Sequence, residues 1–456
     1  MDTVISEAAG FNPAPPSVMH IDLNSCFATV EQQANPLLRG KPLAVAAYTS
    51  PGGCILAASV EAKRFGVKTG MRVSEGRALV PELIVMPSDP WKYRFVNRKL
   101  LSLLREYSAD VSVKSIDEMV LHLAQAPKLN SEIRNPNFRS SSESKIQVSG
   151  AHGHEAVVRA MLSIGREIKE RIKSEIGEWL TVSVGIAPNR YLAKTASGLH
   201  KPDGLDVITA ANAGSVFAGM ELEDLCGIKE GFGSRLRNYG IGTAAAFYRA
   251  PIKLLKAAFA SIIGYHWWLR LHGWEADDRE FDRKSFGQSH ALYRPFTPSQ
   301  RQLKQVLCQL VEKMGRRMRA HGYAAGGIHV GALFADHTFW HQGHRLAQPL
   351  FANTDLYHAA AGTLARSPDR PVRILSVASF GLADAQVSQL ELFADDGRKR
   401  AVTRAVDAVC DRWGDFTVTS GRMLSMQRRV LDRIAFGGVK ELEESIFRDS
   451  VEHEPA

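Results

Sequence analysis

No stretch of about 18 apolar residues occurs in the 456-residue chain, so nothing in it reads as a membrane-spanning helix. Cysteine is scarce. Cys26, Cys54, Cys226, Cys308 and Cys410 are odd in number and scattered, and no two form a zinc-type pair. A reducing, cytoplasmic compartment is the simple reading. The first 17 residues contain Asp2 and Glu7 but no lysine or arginine, so they do not read as a signal peptide. Their proline-rich end reads as a loose leader before Val18.

What is present is a globular composition: 45% hydrophobic and 23% charged residues, with a mean hydropathy of −0.15. At about 150 residues per domain, the length predicts two to four domains. The net charge of +9 suggests a polyanionic partner. The excess is concentrated. Residues 286–393 hold eleven Lys and Arg against six Asp and Glu, which suits a phosphate-tracking face or, more simply, a solvated basic surface.

Short apolar runs at Val18–Ile21, Leu43–Ala47 and Cys54–Ala58 read as strands, the last after the turn signal Ser50-Pro51-Gly52-Gly53. Glu61–Phe65 and Trp91–Tyr107 read as helices. Alternation at Val111, Val113, Met119, Leu121 and Leu123 predicts a hairpin turning near Lys114-Ser115-Ile116. This interleaving indicates an α+β fold. Residues 125–154, rich in Ser, Asn, Pro and His, read as an exposed loop. A helix over Glu155–Ile176 and a strand over Val182–Ile186 follow. Leu225 to Ile241, with Gly227, Gly231, Gly233 and Gly240, resembles a helix–hairpin–helix, whose glycines let backbone N–H groups approach a phosphate. The alternative is a tight helical corner. Gln302–Ala320 carries one apolar stripe from Leu303 to Met318. Strands at Ile328–Phe334, His344–Phe351 and Val372–Phe380 complete a second α/β unit, and Arg398–Trp413 reads as a helix. Tyr265-His266-Trp267-Trp268 reads as core, and His337, His341 and His344 lack a partner that would make them a metal site.

The chemically informative feature is Asp22, at the end of an apolar strand, set against Asp117-Glu118 at the hairpin. Crowded carboxylates repel one another, and divalent cations relieve that cost. Mg²⁺ takes few carboxylates and leaves room for substrate phosphates. Two such ions can activate a 3′-hydroxyl and stabilise departing pyrophosphate. In a regular strand Asp117 and Glu118 face opposite ways, so Asp22 and Asp117 rank above Glu118 as expected ligands.

The run Met19-His20-Ile21-Asp22-Leu23-Asn24-Ser25-Cys26-Phe27-Ala28-Thr29-Val30-Glu31 resembles the opening motif of Y-family translesion DNA polymerases. Arg39-Gly40-Lys41-Pro42-Leu43-Ala44-Val45, Glu61 to Met71, Ser115-Ile116-Asp117-Glu118, Ser183 to Ala187, Leu192-Ala193-Lys194 and Lys201-Pro202-Asp203-Gly204 follow in family order. The resemblance covers about residues 17 to 400 and is greatest to the DNA polymerase IV branch. It implies an α+β multidomain right-hand polymerase: leader 1–17; palm and fingers 18–221, with fingers about 32–90; helical thumb 222–285; α/β little finger 286–393; and an extension 394–456. It further implies a low-fidelity DNA-directed polymerase that uses two Mg²⁺, primer–template DNA and dNTPs, and acts as a monomer. Asp22, Asp117, Glu118 and the carbonyl of Leu23 become the metal site. Phe27 becomes the steric gate against a ribose 2′-hydroxyl, Lys201 a triphosphate contact, and Cys54 the small residue above the nascent base pair.

The chain departs from the family in the fingers. A Thr, a Tyr and an Arg usually hold the triphosphate there; the matching positions are Ala57, Val60 and Lys63. Two hydroxyls are lost and a planar fork becomes a point charge. Gln389-Leu390-Glu391-Leu392-Phe393 resembles the bacterial sliding-clamp peptide, in which Gln389 hydrogen-bonds while Leu390, Leu392 and Phe393 belong to the docking segment. Its alternative is a last strand of the preceding domain. The competing function is a non-catalytic DNA- and clamp-binding accessory of the same fold.

Overall fold

The computed structural model describes residues 5–134, 151–278, 283–385, 396–414 and 416–424. These fall into two compact units, divided between Asp278 and Arg283.

In the first unit, β1 (Val18–Leu23) is buried along its whole length. A six-residue run with no exposed face is what a central strand covered on both sides requires. Strands β2 (Leu43–Ala46), β3 (Ile55–Ala58) and β4 (Ile84–Pro87) form a separate sheet in the order β3-β2-β4. Strands β5 (Val111–Val113), β6 (Glu118–His122), β7 (Val182–Ala187) and β8 (Leu205–Val207) join β1 in the order β5-β6-β1-β7-β8. The expected hairpin is β5–β6, paired antiparallel from Val111↔Leu121 to Val113↔Met119. Ile21, Met119 and Leu121 are fully buried; truncating such a residue to Ala costs about 2–5 kcal/mol.

Two helices seat this sheet. Pro90–Arg105 starts at Asp89, whose carboxylate accepts from the Trp91 N–H, with proline at the first turn. Its Tyr93, Val96, Leu100, Leu103 and Leu104 face inward. Arg190–Leu199 is capped by Asn189, which accepts from Leu192 N at 2.8 Å. It lies so close to β7 that a Cβ on Gly185 would stand 2.0 Å from the Ala193 carbonyl oxygen.

Short helices follow, including Glu230–Asn238, Ala244–Arg249, Ile252–Phe259 and Ile263–Leu271. Trp267 and Trp268 are buried in their core, as expected. Gly227 and Gly240 take φ of +90° and +78°, backbone that favours glycine. Gly231 and Gly233 lie inside the first helix of the group.

Two expectations fail in this unit. The leader is not loose over its described part. Tyr265 Oη accepts from Ile5 N at 2.9 Å and donates to Ile5 O at 3.0 Å. Asn12 donates from N and Nδ2 to His272 O and Gly273 O, and Trp274 Nε1 donates to Gly10 O at 2.9 Å. Nor is 125–154 one loop: Pro127–Arg134 and Ala151–Arg171 are helices, and residues 135–150 lie outside the described residues. Pro127 suits a helix start, and Lys128 pairs with Glu167 at 2.9 Å.

The second unit is a sheet in the order β11-β10-β12-β9, from β9 (Ser285–Phe296), β10 (Tyr323–Phe334), β11 (Phe339–Leu350) and β12 (Val372–Phe380); β13 (Ala383–Asp384) pairs with β10. Helix Arg301–Ala320 packs its Leu303–Met318 stripe into the core. The helix Asp396–Trp413 belongs to this same unit. Arg319 holds Asp407 through two bonds of 2.5 and 2.7 Å, and Arg316 holds Asp411 at 2.7 Å. His341 meets His329 across the strands at 3.1 Å rather than His337 or His344. Among the described residues no helix is long and apolar enough to cross a membrane.

Candidate active site

Asp22 and Glu118 are direct partners in the antiparallel register of β1 and β6. Cross-strand partners project to the same face of a sheet, so the pairing itself brings the two carboxylates together. Glu118 opens β6, which leaves Asp117 in the turn before it, outside the alternation of the strand. That answers the problem of opposite facings. Glu118 stands beside Asp22 across the strands, and Asp117 is near enough that its charge also raises the Asp22 carboxyl. Carboxylate oxygens of Asp22 and Glu118, with a ring nitrogen of His20, lie within 4.8 Å of one another. The Asp117 carboxylate accepts from Ser115 Oγ at 2.5 Å.

Lysines stand against the acids. Lys194 Nζ donates to both Glu118 oxygens, at 2.6 and 2.9 Å. Lys201 donates to Asp22 Oδ2. Burial pushes the Asp22 carboxyl up, against the pull of Lys201. Burial also raises Asp117, against its bond to Ser115. His20 is pushed down to about 3 by burial and by Lys194, and is therefore a neutral imidazole.

These acids open on a cavity of about 580 Å³. Its lining includes Leu23, Phe27, Ala57, Val60, Lys63, Asp117 and Lys201 beside Asp22 and Glu118. Cys54 is not in that lining. It bridges to Arg72, with its sulfur 3.7 Å from Gly70 O. Gln389, Leu390, Leu392 and Phe393 lie outside the described residues. Burial lowers the Lys63 ammonium, with help from Lys201.

Sequence reasoning missed several contributors. Arg64 and Thr69 also line the cavity; Arg64 stands next to Lys63 in a helix too short to show a face by periodicity. Tyr93 stacks on Phe27, ring centres 4.3 Å apart and 14° from parallel. Its hydroxyl is 3.0 Å from Glu31, which Lys92 also holds at 2.8 Å. Tyr93 sits where helical periodicity calls for core, so sequence gave no separate signal.

The cavity joins three acids to a set of cations, the donor set that divalent metal and phosphate chemistry needs. Residues 21–198 match the impB/mucB/samB family, and residues 283–392 match the impB/mucB/samB family C-terminal domain. DNA polymerase IV of Moorella thermoacetica is 32% identical over 409 residues, covering 88% of this chain and 94% of that protein. DNA polymerase IV of Pelotomaculum thermopropionicum is 30% identical over 408 residues, with the same coverage.

This chain belongs to the Y-family of DNA polymerases, in the DNA polymerase IV branch.

A solved Y-family DNA polymerase chimera shares its fold, with a TM-score of 0.65 at 23% identity, over 80% of this chain and 99% of that one. This Y-family protein is thus an α+β multidomain, DNA-directed translesion DNA polymerase. Enzymes of the family depend on divalent metal.

Proposed function

We propose that the cavity performs two-metal nucleotidyl transfer, joining a dNTP to a primer 3′ end on a DNA template, with Mg²⁺ as the metal. The Asp22–Glu118 register pair, with Asp117 in the adjoining turn, carries this reading. Asp22 and Asp117, both raised by burial, together with Glu118 beside Asp22, fit a divalent ion, which would take up charge that lysines now balance. Asp22, Asp117 and Glu118, with the carbonyl of Leu23, would hold the ions. Bound there, the ions favour the ionised 3′-hydroxyl and offset charge on the departing pyrophosphate.

The chain's own residues do the rest. Lys201 turns from Asp22 to the triphosphate, joined by Lys63. Arg64, in the same lining, supplies the planar fork that Lys63 lacks. Phe27, backed by Tyr93, fills the space a 2′-hydroxyl would need. Cys54 acts at most on the base-pair side, away from the metal.

The sequence supports palm and fingers over 18–221, a thumb over 222–285 and a little finger over 286–393. Gly227 and Gly240 give the thumb backbone N–H groups access to phosphate. Gln389, Leu390, Leu392 and Phe393 bind the bacterial sliding clamp, which raises the effective concentration of polymerase on DNA. The protein works as a cytoplasmic monomer. Primer extension with Mg²⁺ tests the core of this reading: Asp22→Asn should abolish extension while leaving primer–template affinity near wild type. Substantial extension would remove Asp22 from the reaction.

A further inference from the structure

Lys194 is the cation most firmly built into the acid cluster. Its helix is pinned at its start, where Asn189 Nδ2 donates to Arg270 O at 3.0 Å and Trp274 O at 2.8 Å. The helix is pinned along its length by the close approach at Gly185, where a Cβ would also meet Ser197 N at 2.2 Å. Leu192, Ala193 and Ala196 are fully buried beside it. The long side chain of Lys194 reaches out from this helix and ends on both oxygens of Glu118.

The other side of Glu118 offers no charge. His20 Nε2 lies 3.8 Å from Glu118 Oε2, and both ring nitrogens are buried without a hydrogen-bond partner. Among the described residues, Lys194 and Lys201 supply the ammonium groups paired with this cluster. Glu118 is half-buried and faces Asp22, so a counter-charge relieves the crowding of the two acids. A lysine that relieves this crowding also occupies the oxygens a metal must take.

We propose that Lys194 is a resident counter-ion of the metal site, holding Glu118 until a divalent cation displaces its ammonium, and so setting how tightly metal binds. This rests on the reading of Asp22 and Glu118 as metal ligands. Metal entry is then an exchange of one cation for another. Lys194 is free to swing aside because its helix stays fixed. It is a positioning residue, acting through Glu118, with no contact to substrate required.

The test is Mn²⁺ titration of the full chain without DNA or nucleotide, following free Mn²⁺ by electron paramagnetic resonance. Thermal unfolding in chelator and in Mn²⁺ accompanies it. Lys194→Met should bind Mn²⁺ about fivefold to tenfold more tightly than wild type, the range for removing a competing charged hydrogen bond at a half-exposed pair. Its midpoint in chelator should fall, and Mn²⁺ should raise it by more than it raises wild type. Lys194→Arg should stay close to wild type. Should Lys194→Met not fold without metal, Lys194→Gln keeps a donor for Glu118, drops the charge and carries the same expectation. Unchanged or weaker Mn²⁺ binding by Lys194→Met or Lys194→Gln, with Asp22→Asn weakened, overturns the counter-ion role alone. If Asp22→Asn binds as tightly as wild type, the metal-site reading fails instead.

Discussion

The cavity has two linings built from different sheets, and they differ in kind. From the five-stranded sheet come Asp22, Asp117 and Glu118, a complete set of acids with lysines bound to them. From the three-stranded sheet and the helix after it come Ala57 and Val60, with a methyl and an isopropyl group where the family carries hydroxyls, followed by Lys63 and Arg64. On the proposed roles, chemistry and substrate grip fall to different linings. One lining gathers the acids proposed to hold metal; the other lacks two hydroxyls the family carries and keeps the cationic side chains of Lys63 and Arg64. This teaches that an intact acid triad does not imply an intact triphosphate cradle. The two should fail in different kinetic parameters.

The largest effect should come from the acid lining. Asp22→Asn or Glu118→Gln should reduce kcat in primer extension by at least about a thousandfold, since metal ligands act on the transition state, with primer–template affinity little changed. Next is the cationic part of the cradle. Lys63→Ala and Arg64→Ala should each raise KM for dNTP about tenfold or more, the value of a hydrogen bond to a charged group, with a much smaller change in kcat. If both affect kcat alone, the linings are not separable.

Phe27→Ala should raise rNTP incorporation relative to dNTP, measured by single-nucleotide insertion. An unchanged ratio would reduce Phe27 to a core ring stacked on Tyr93. The two linings should also differ with pH. Burial raises Asp22 and Asp117, so protons compete for them above the ordinary carboxylate range, and kcat should fall toward acid. Burial lowers Lys63, so its charge is lost below the ordinary lysine range, and KM for dNTP should rise toward alkali. Lys63→Arg, which stays charged, should remove the alkaline rise. A KM flat with pH in wild type would mean that Lys63 does not touch the triphosphate.

Much of this was readable in the sequence, for physical reasons. Fully buried strands such as β1 and β7 are mostly apolar, broken by His20 and Asp22 in one and by Ser183 and Gly185 in the other, and the helix Arg301–Ala320 carries a clean stripe. Asp22, Asp117, Glu118, Phe27, Lys63 and Lys201 were named from motifs and line one cavity. What was hidden depends on three dimensions. The face of Glu118 follows from its cross-strand register with Asp22 and from its being the first residue of β6. The leader was misread because its bonds reach residues some 260 positions away. Strand β9 passed unnoticed because Gly287, Gln288, Ser289 and His290 interrupt its apolar residues. Lys194 was legible as part of a motif, but nothing in one dimension places it on Glu118.

The separability of the two linings is tested most directly by rebuilding the weaker one. The measurement is single-nucleotide insertion kinetics on undamaged template, comparing wild type with the Ala57→Thr, Val60→Tyr double variant. Two restored hydroxyls aimed at a triphosphate should lower KM for dNTP by about tenfold, leaving kcat within about threefold because the acid lining is untouched. A KM that stays the same or rises in a folded double variant would contradict the account. It would mean that the triphosphate is not held by this lining at all.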